Sequence, residues 1–134
     1  MIQPQRLEGS ELELTNAAAH RAIGAAIEVH RHLGPGLIEA LYETALSIEL
    51  DERRIPYQRQ VPIPAHYKGR LLGNYYADFI VEDLVILEIK SVTTVLPLFK
   101  AQLITYLRLK GKRLGLIMNF KSTLLKDGIE RVIL

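Results

Sequence analysis

Three charged residues interrupt the most apolar part of this sequence and are the first candidates for chemistry. Asp78 lies in residues 74–81, while Glu88 and Lys90 lie in residues 84–90, and both runs are rich in Val, Ile, Leu and aromatic residues. These residue types favour buried strands. Because a charge in a buried strand is costly unless it is paired or bound to a metal ion, the three charges indicate either a functional site or a structural ion pair.

The side-chain alternation of strands indicates which of these residues share a face. Glu88 and Lys90 are two residues apart, so they face the same side of one strand. A two-residue turn between the strands would place Asp78 opposite Leu87, whereas a three-residue turn at 82–84, or a bulge, would place Asp78 opposite Glu88. We favour the second register because it gathers the odd-numbered apolar residues on one face. The charged face would then also carry Tyr76, Ile80 and Ile86.

The carboxylates of Asp78 and Glu88 are suited to binding a metal ion in this register. Two carboxylates directly opposite each other repel, and a divalent cation between them removes that repulsion. Oxygen ligands favour hard ions such as Mg²⁺ or Mn²⁺. Lys90 would then lie beside the ion, where its amine could stabilise an anion or orient a water molecule. The alternative is a structural ion pair between Lys90 and one of the two acids.

Length and composition narrow the classes of protein. The chain has 134 residues, of which 49% are hydrophobic and 24% are charged, as in an ordinary globular domain. It contains no cysteine, which excludes disulfides, thiolate zinc sites, iron–sulfur clusters and cysteine catalysis. A net charge of +2 does not by itself argue for nucleic acid. With no apolar run long enough to cross a bilayer and no signal-peptide pattern, we expect a cytoplasmic protein without a membrane partner.

Apolar periodicity and turn residues predict the elements that position the charges. We expect a flexible N-terminal arm over residues 1–14 and a single domain over residues 15–134. The strand–helix–strand connection after Lys90 predicts that the fourth strand runs parallel to the Glu88 strand. The predicted elements are helices at 17–33 and 37–53, strands at 57–64, 74–81 and 84–90, a helix at 97–109, a strand at 113–120 and an edge strand at 131–134.

Polar residues on these elements have both structural and functional interpretations. Glu39 lies in the first turn of the second helix, where the helix dipole favours a carboxylate, but it could also reach the strands. Gln102 and Tyr106 lie four residues apart on the third helix, where they could bond backbone groups or face the hairpin and position a ligand. Lys68 and Arg70 form a basic turn that could contact phosphates or belong to a solvated loop.

The first helix carries three histidines, which raises the question of a second metal site. His20, His30 and His32 lie there with Glu28, but their spacing gives no convincing set of ligands. Packed or solvated histidines are the favoured interpretation.

Several motifs occur together in a characteristic order. They are Glu39 on a helix, Asp78 on the second strand, Glu88-Ile89-Lys90 on the third strand and Gln102-x-x-x-Tyr106 on the next helix. This order resembles the PD-(D/E)XK nuclease superfamily, in its RecB-like exonuclease branch with a QxxxY helix motif. One departure is Ala77, which precedes Asp78 where the superfamily name implies proline.

A second resemblance is narrower. Residues 36–42, Gly-Leu-Ile-Glu-Ala-Leu-Tyr, match the signature of the small bacterial and archaeal GxxExxY proteins, and residues 24–36 and 124–128 resemble that family as well. The resemblance covers about residue 15 to the end of the chain. It implies an α/β (α+β) fold with a restriction-endonuclease-like core, in which helices flank a mixed central sheet in the order α-α-β-β-β-α-β.

The resemblance also implies a metal-dependent nuclease that hydrolyses phosphodiester bonds of DNA or RNA with Mg²⁺ or Mn²⁺. The alternative is a catalytically silent module that keeps the nuclease fold and binds nucleic acid or protein. Because the domain is small, we also expect a homodimer or a larger protein partner. The implied metal ligands are Glu39, Asp78, Glu88 and the Ile89 carbonyl, Lys90 is the further catalytic residue, the substrate-positioning residues are Gln102, Tyr106 and Tyr42, and the candidate phosphate contacts are Lys68 and Arg70.

Overall fold

The computed structural model describes residues 4–134, which form a five-stranded mixed sheet between two layers of helices. This architecture confirms the predicted restriction-endonuclease-like fold class. A short 3₁₀ turn, Leu125–Gly128, precedes the last strand. The elements in chain order are α1 (Pro4–Leu33), α2 (Glu39–Glu52), β1 (Tyr57–Tyr67), β2 (Arg70–Val81), β3 (Val85–Lys90), α3 (Pro97–Lys110), β4 (Leu114–Asn119) and β5 (Ile129–Ile133).

The first helix begins earlier than the sequence pattern predicts. Residues 4–14 already belong to α1, so the predicted helix start near residue 15 is wrong, while residues 1–3 lie outside the described part of the chain. Glu and Leu are good helix formers, so the helix extends through residues 10–14 although all five are exposed. Across residues 4–134, no helix is long and apolar enough to cross a membrane.

The sheet separates two apolar clusters. Helices α1 and α2 pack on one face, where small residues of α1 such as Ala18, Ala22 and Ala25 are fully buried and allow close approach. Helix α3 covers the other face through Leu103 and Leu107, which pack on residues of all the strands. Burial of apolar area on both faces is the main stabilising contribution and fixes which strand residues point to which helix layer.

The strand order is β1-β2-β3-β4-β5, with β3 and β4 parallel and every other pair antiparallel. The predicted parallel crossover and the predicted edge position of the last strand are therefore confirmed. In the central hairpin, Val81 pairs with Val85 and Phe79 with Leu87. These pairs confirm the register of a three-residue turn, so the odd-numbered apolar residues of β3 face α1 and α2.

The alternation of β2 changes near Asp78, which the sequence does not predict. Opposite Asp78, Gln60 has a left-handed backbone with φ of 50° and forms no ladder pair. Ala77 and Ile80 consequently both lie in the cluster beneath α3, although they differ in parity. Tyr75, rather than the predicted Tyr76, therefore faces α3.

Candidate active site

Asp78 lies at the point where β2 and β3 separate. The last ladder pair before this point joins Phe79 to Leu87. Asp78 Oδ2 accepts a hydrogen bond of 2.8 Å from the Ile89 N–H, and its Oδ1 accepts one of 3.2 Å from Gln60 Nε2. The carboxylate thus takes the place of a backbone acceptor and is held at the edge of β3.

Glu88 is the least satisfied polar group in the described part of the chain. It is 8% exposed, and its Oε1 is the only buried side-chain nitrogen or oxygen atom of residues 9–134, whose side chains the structure describes, that has no hydrogen-bond partner. Burial, followed by the negative charge of Asp78, raises the pKa of the Glu88 carboxyl from 4.5 to about 9, while Lys90 opposes this shift. A buried acceptor without a partner is costly, which indicates a site formed to bind a cation.

Lys90 lies on the α3 side of β3, as Glu88 does. Its Nζ lies 4.4 Å from the centroid of the Phe99 ring, a cation–π contact that fixes the amine beside α3. None of the ion pairs within 4.0 Å among the side chains of residues 9–134 includes Lys90. The structure therefore does not contain the ion pair that was the alternative interpretation of these charges.

Glu39 approaches the same edge of β3 from the first residue of α2. Its Oε2 accepts a hydrogen bond of 3.4 Å from the Ser91 N–H, one residue beyond β3. In extended backbone, this amide lies roughly 7 Å from the Ile89 amide that binds Asp78. Among the described side chains, those of residues 9–134, however, no group of three or more His, Asp or Glu residues is arranged to hold a metal ion. Asp78 and Glu88 lie close together, whereas Glu39 accepts a hydrogen bond from the nearby Ser91 amide.

Helix α3, which covers this side of the sheet, carries Gln102 and Tyr106. Burial raises the pKa of the Tyr106 phenol to about 12, with further contributions from the charges of Glu88, Tyr75 and Asp78. The phenol is therefore a hydrogen-bond donor throughout the neutral pH range. Gln102 lies one turn earlier on α3 and is half-buried. The pair can thus present an O–H and an amide beside the carboxylates.

Three of the predicted site residues lie elsewhere. Tyr42 is fully buried and stacks on Phe120, and its hydroxyl accepts from the Leu37 N–H at 3.0 Å and donates to the Gly34 carbonyl. It therefore holds the loop between α1 and α2. Lys68 and Arg70 lie at the far end of the β1–β2 hairpin, roughly 25 Å along β2 from Asp78.

The family model of the PD-(D/E)XK nuclease superfamily matches residues 16–132, which include both carboxylates, Lys90, the first four strands and all of β5 except its last residue. The chain belongs to the PD-(D/E)XK nuclease superfamily. Neither the curated proteins nor the solved structures contain a significant match.

This PD-(D/E)XK protein has two further polar residues at the site that were not predicted. Glu43 accepts hydrogen bonds of 2.7 Å from Gln60 Nε2 and 2.9 Å from Arg59 Nε, and burial together with the charge of Asp78 raises its pKa. Gln60 thus bridges Glu43 and Asp78. Glu43 follows Glu39 by four residues on one helix face, which is a usable signal, whereas nothing in the sequence marks Gln60.

A third unpredicted residue is Lys121, just beyond β4. It lines a cleft of about 560 Å³ together with Glu39 and Ser91. Among the side chains described, from residue 9 onward, no ion pair within 4.0 Å includes Lys121. Its charge is therefore available to an anionic ligand in this cleft.

The donor set of this PD-(D/E)XK site fits a hard divalent cation. Asp78 and Glu88 supply carboxylate oxygens, and Glu88 Oε1 needs a partner. The N–H and C=O of one residue point to the same side of an extended strand, so the Ile89 carbonyl faces the edge at which Asp78 is bound. These residues could hold Mg²⁺ or Mn²⁺.

The histidines of α1 do not form a second site. His30 is buried, and its Nε2 lies 3.1 Å from the Phe120 carbonyl oxygen and 2.9 Å from that of Ser122. It therefore fixes α1 to the segment after β4. His32 is exposed and lies 3.3 Å from Glu28, as expected for a solvated side chain.

Proposed function

We propose that this chain is a nuclease that hydrolyses phosphodiester bonds of DNA or RNA with Mg²⁺ or Mn²⁺. The observation that carries the proposal is the buried Glu88 Oε1, which has no hydrogen-bond partner and lies beside Asp78 where β2 and β3 separate. Membership of the PD-(D/E)XK nuclease superfamily supports this interpretation. In a silent module, the same buried acceptor would destabilise the fold without a compensating role.

Asp78, Glu88 and the Ile89 carbonyl would hold the cation, and Glu39 would assist from α2 directly or through a water molecule. When bound, the cation would lower the pKa of the attacking water and offset negative charge on the phosphate. Both Asp78 and Glu39 already accept from main-chain amides of the β3 edge. These bonds orient the two carboxylates before any ligand arrives.

Lys90 would stabilise the charge that develops on the phosphate. Its amine already lies over the Phe99 ring, so little side-chain entropy is lost when the amine meets an anion. Tyr106 and Gln102 would donate hydrogen bonds to phosphate oxygens, and Lys121 would attract the backbone to the cleft beside Glu39.

The finer classification is also part of the proposal. Gly36, Glu39 and Tyr42 have the spacing of the GxxExxY proteins, and Gln102 and Tyr106 have the QxxxY spacing of the RecB-like branch. In this chain, the Tyr42 hydroxyl bonds the loop that ends at Glu39. Tyr42 would therefore orient Glu39 through the backbone rather than touch the substrate.

The test compares cleavage of single- and double-stranded DNA and RNA by the wild type, Lys90→Met and Lys100→Ala. Methionine retains the packing on Phe99 but removes the charge, so we expect cleavage to fall by at least about 100-fold. Lys100 is exposed and lies in an ion pair of 3.7 Å with Glu130, so its replacement should leave cleavage unchanged.

Metal dependence is measured separately. Calorimetry should show that Mn²⁺ binds the wild type and that Asp78→Asn weakens this binding. If the wild type cuts no substrate, or if Lys90→Met cuts as well as the wild type, the catalytic assignment is wrong. Nucleic-acid binding that needs no metal and survives Asp78→Asn would instead identify a silent binding module.

A further inference from the structure

The β1–β2 hairpin extends well beyond the rest of the sheet. Only Phe79–Val81 of β2 pairs with β3, so the earlier residues of β2 have β1 as their single neighbour. We refer to residues 62–76 as the hairpin arm. Large side chains on the arm are exposed, and they are Tyr67, Leu71, Leu72, Tyr75 and Tyr76.

The charged residues of the hairpin arm are all basic. Between Arg59 and Asp78 the sequence contains no Asp or Glu, but it contains Lys68 and Arg70 at the turn and His66 beside them. The turn is thus a basic tip on a strand whose other end carries the carboxylate site. Such a surface complements a phosphate backbone and repels a second copy of itself.

One face of the arm continues from the site beneath α3. The Tyr75 ring lies 5.4 Å from the Tyr106 ring, and Tyr75 pairs across the ladder with Ile63, which is buried. The register shifts between Ala65 and His66, but the extra residue, Leu72, lies on β2, so side chains still alternate along β1 and Tyr67 lies on the same face as Ile63. Tyr67 in turn pairs with Arg70 at the tip, and the Lys68 Nζ lies 5.4 Å from the centroid of its ring, which leaves the other face of the ring for a base.

The floor between the two tyrosines is made of small residues. Ala65 pairs with Gly73 on that same face, so no large side chain stands between Tyr75 and Tyr67. The result is a shallow track that starts at Tyr106, passes Tyr75 and reaches Tyr67 and Arg70. Flat rings separated by small residues and flanked by cations form the usual platform for unstacked bases.

We propose that this track binds a single-stranded nucleic acid as it leaves the site, with bases stacked on Tyr75 and Tyr67 and a phosphate on Arg70. The choice of ligand rests on the proposed nuclease function and specifies its substrate class. A duplex hides the faces of its bases, so stacking on these rings requires a single strand. Lys68 and Arg70 would then contact phosphates several nucleotides from the reacting bond.

The test measures binding of a labelled oligothymidylate of about twelve nucleotides by fluorescence anisotropy, in EDTA so that no cleavage occurs. Tyr67→Ala and Tyr75→Ala should each weaken binding about tenfold because each removes one stacking platform. Tyr76→Ala is the matched control, since Tyr76 is as exposed as Tyr75 but lies on the opposite face, and it should bind like the wild type. Tyr75→Phe should also bind like the wild type, which separates loss of stacking from damage to the fold.

Two further measurements complete the test. Arg70→Gln should reduce the slope of log affinity against log salt by about 0.7, as expected for one phosphate contact on a single strand. A duplex of the same length should bind at least tenfold more weakly than the oligothymidylate.

Clear results would overturn the proposal. These are equal losses from Tyr76→Ala and Tyr75→Ala, tighter binding of the duplex, or no binding of the oligothymidylate by the wild type. A wild-type dimer that Leu72→Glu converts to monomers would assign the arm to a second copy and would also overturn it. Binding with the expected pattern but no cleavage in metal would support the track and refute the nuclease proposal alone.

Discussion

The stability of the metal-free protein should fall as the pH rises, and Glu88 should be the main cause. Carboxyl groups in folded proteins usually have lowered pKa values and stabilise the fold at neutral pH, but the pKa of Glu88 is raised from 4.5 to about 9. Between these values the folded protein retains a proton that the unfolded chain releases. Its contribution is therefore favourable below about pH 4.5 and is lost progressively as the pH rises toward about 9.

The size of this loss of stability follows from the width of the pH interval between the two pKa values. Each pH unit in which only the folded state holds the proton lowers the free energy of unfolding by about 1.4 kcal/mol. Between pH 5 and pH 8 the loss attributable to Glu88 is at most about 4 kcal/mol, a large part of the ~5–15 kcal/mol that stabilises a typical domain. The physical source is the desolvation of a carboxylate whose Oε1 has no donor.

The measurement is urea unfolding in EDTA at pH 5 and pH 8 for the wild type, Glu88→Gln and Glu52→Gln. Glutamine is neutral at both values, so Glu88→Gln should gain stability relative to the wild type on going from pH 5 to pH 8, by up to about 4 kcal/mol. Glu52 is exposed on the last turn of α2, and its variant should follow the wild type. A difference between Glu88→Gln and the wild type that is the same at both pH values would refute the reasoning.

Adding Mn²⁺ at pH 8 extends the same experiment. An ion that binds only ionised Glu88 in the folded protein should raise the stability of the wild type and leave Glu88→Gln unchanged. Equal stabilisation of both proteins would place the ion elsewhere.

Two other predictions concern packing around the site. Tyr42→Phe should lower the free energy of unfolding by about 1 kcal/mol because it leaves two partly buried main-chain groups of the α1–α2 loop without their side-chain partner; an unchanged urea midpoint would contradict this. Gly115→Ala should cost about 1–3 kcal/mol, since the new Cβ would lie 2.7 Å from Leu103 Cδ1 beneath α3. Gly36→Ala is the control for it, because a Cβ there meets no atom within 4 Å, and thermal unfolding of the two variants should differ accordingly.

Periodic patterns in the sequence were sufficient to predict much of the fold. The alternation in β2 and β3 indicated their register, because a slip of one residue would have sent one of the charged groups to the opposite face of the sheet. The strand–helix–strand spacing indicated the parallel pairing of β3 and β4, since a crossover of that length does not form a hairpin. The residue types in 74–90 likewise pointed to Asp78 and Glu88 before any coordinates, because unpaired charges in buried strands require an explanation.

The length of the hairpin arm was not predictable in the same way. Predicted strands ended at residue 64 and began at residue 74, but β1 continues to Tyr67 and β2 begins at Arg70. Exposed ladder residues carry no alternation of burial, so their pattern contains no signal for a strand. The early start of α1 escaped prediction for the same reason, because residues 10–14 of this helix are exposed and show no alternation of burial.

The sequence by itself determined the order of the elements, the central register and the identity of the buried charges, because these depend on local periodicity and on the cost of burying a charge. Only the tertiary structure decided which groups surround those charges. It bound Asp78 to the Ile89 amide, joined Glu43 to Asp78 through Gln60 and placed Tyr75 rather than Tyr76 against α3. These contacts join residues far apart in the chain or follow from one irregular backbone residue, and no local pattern encodes either.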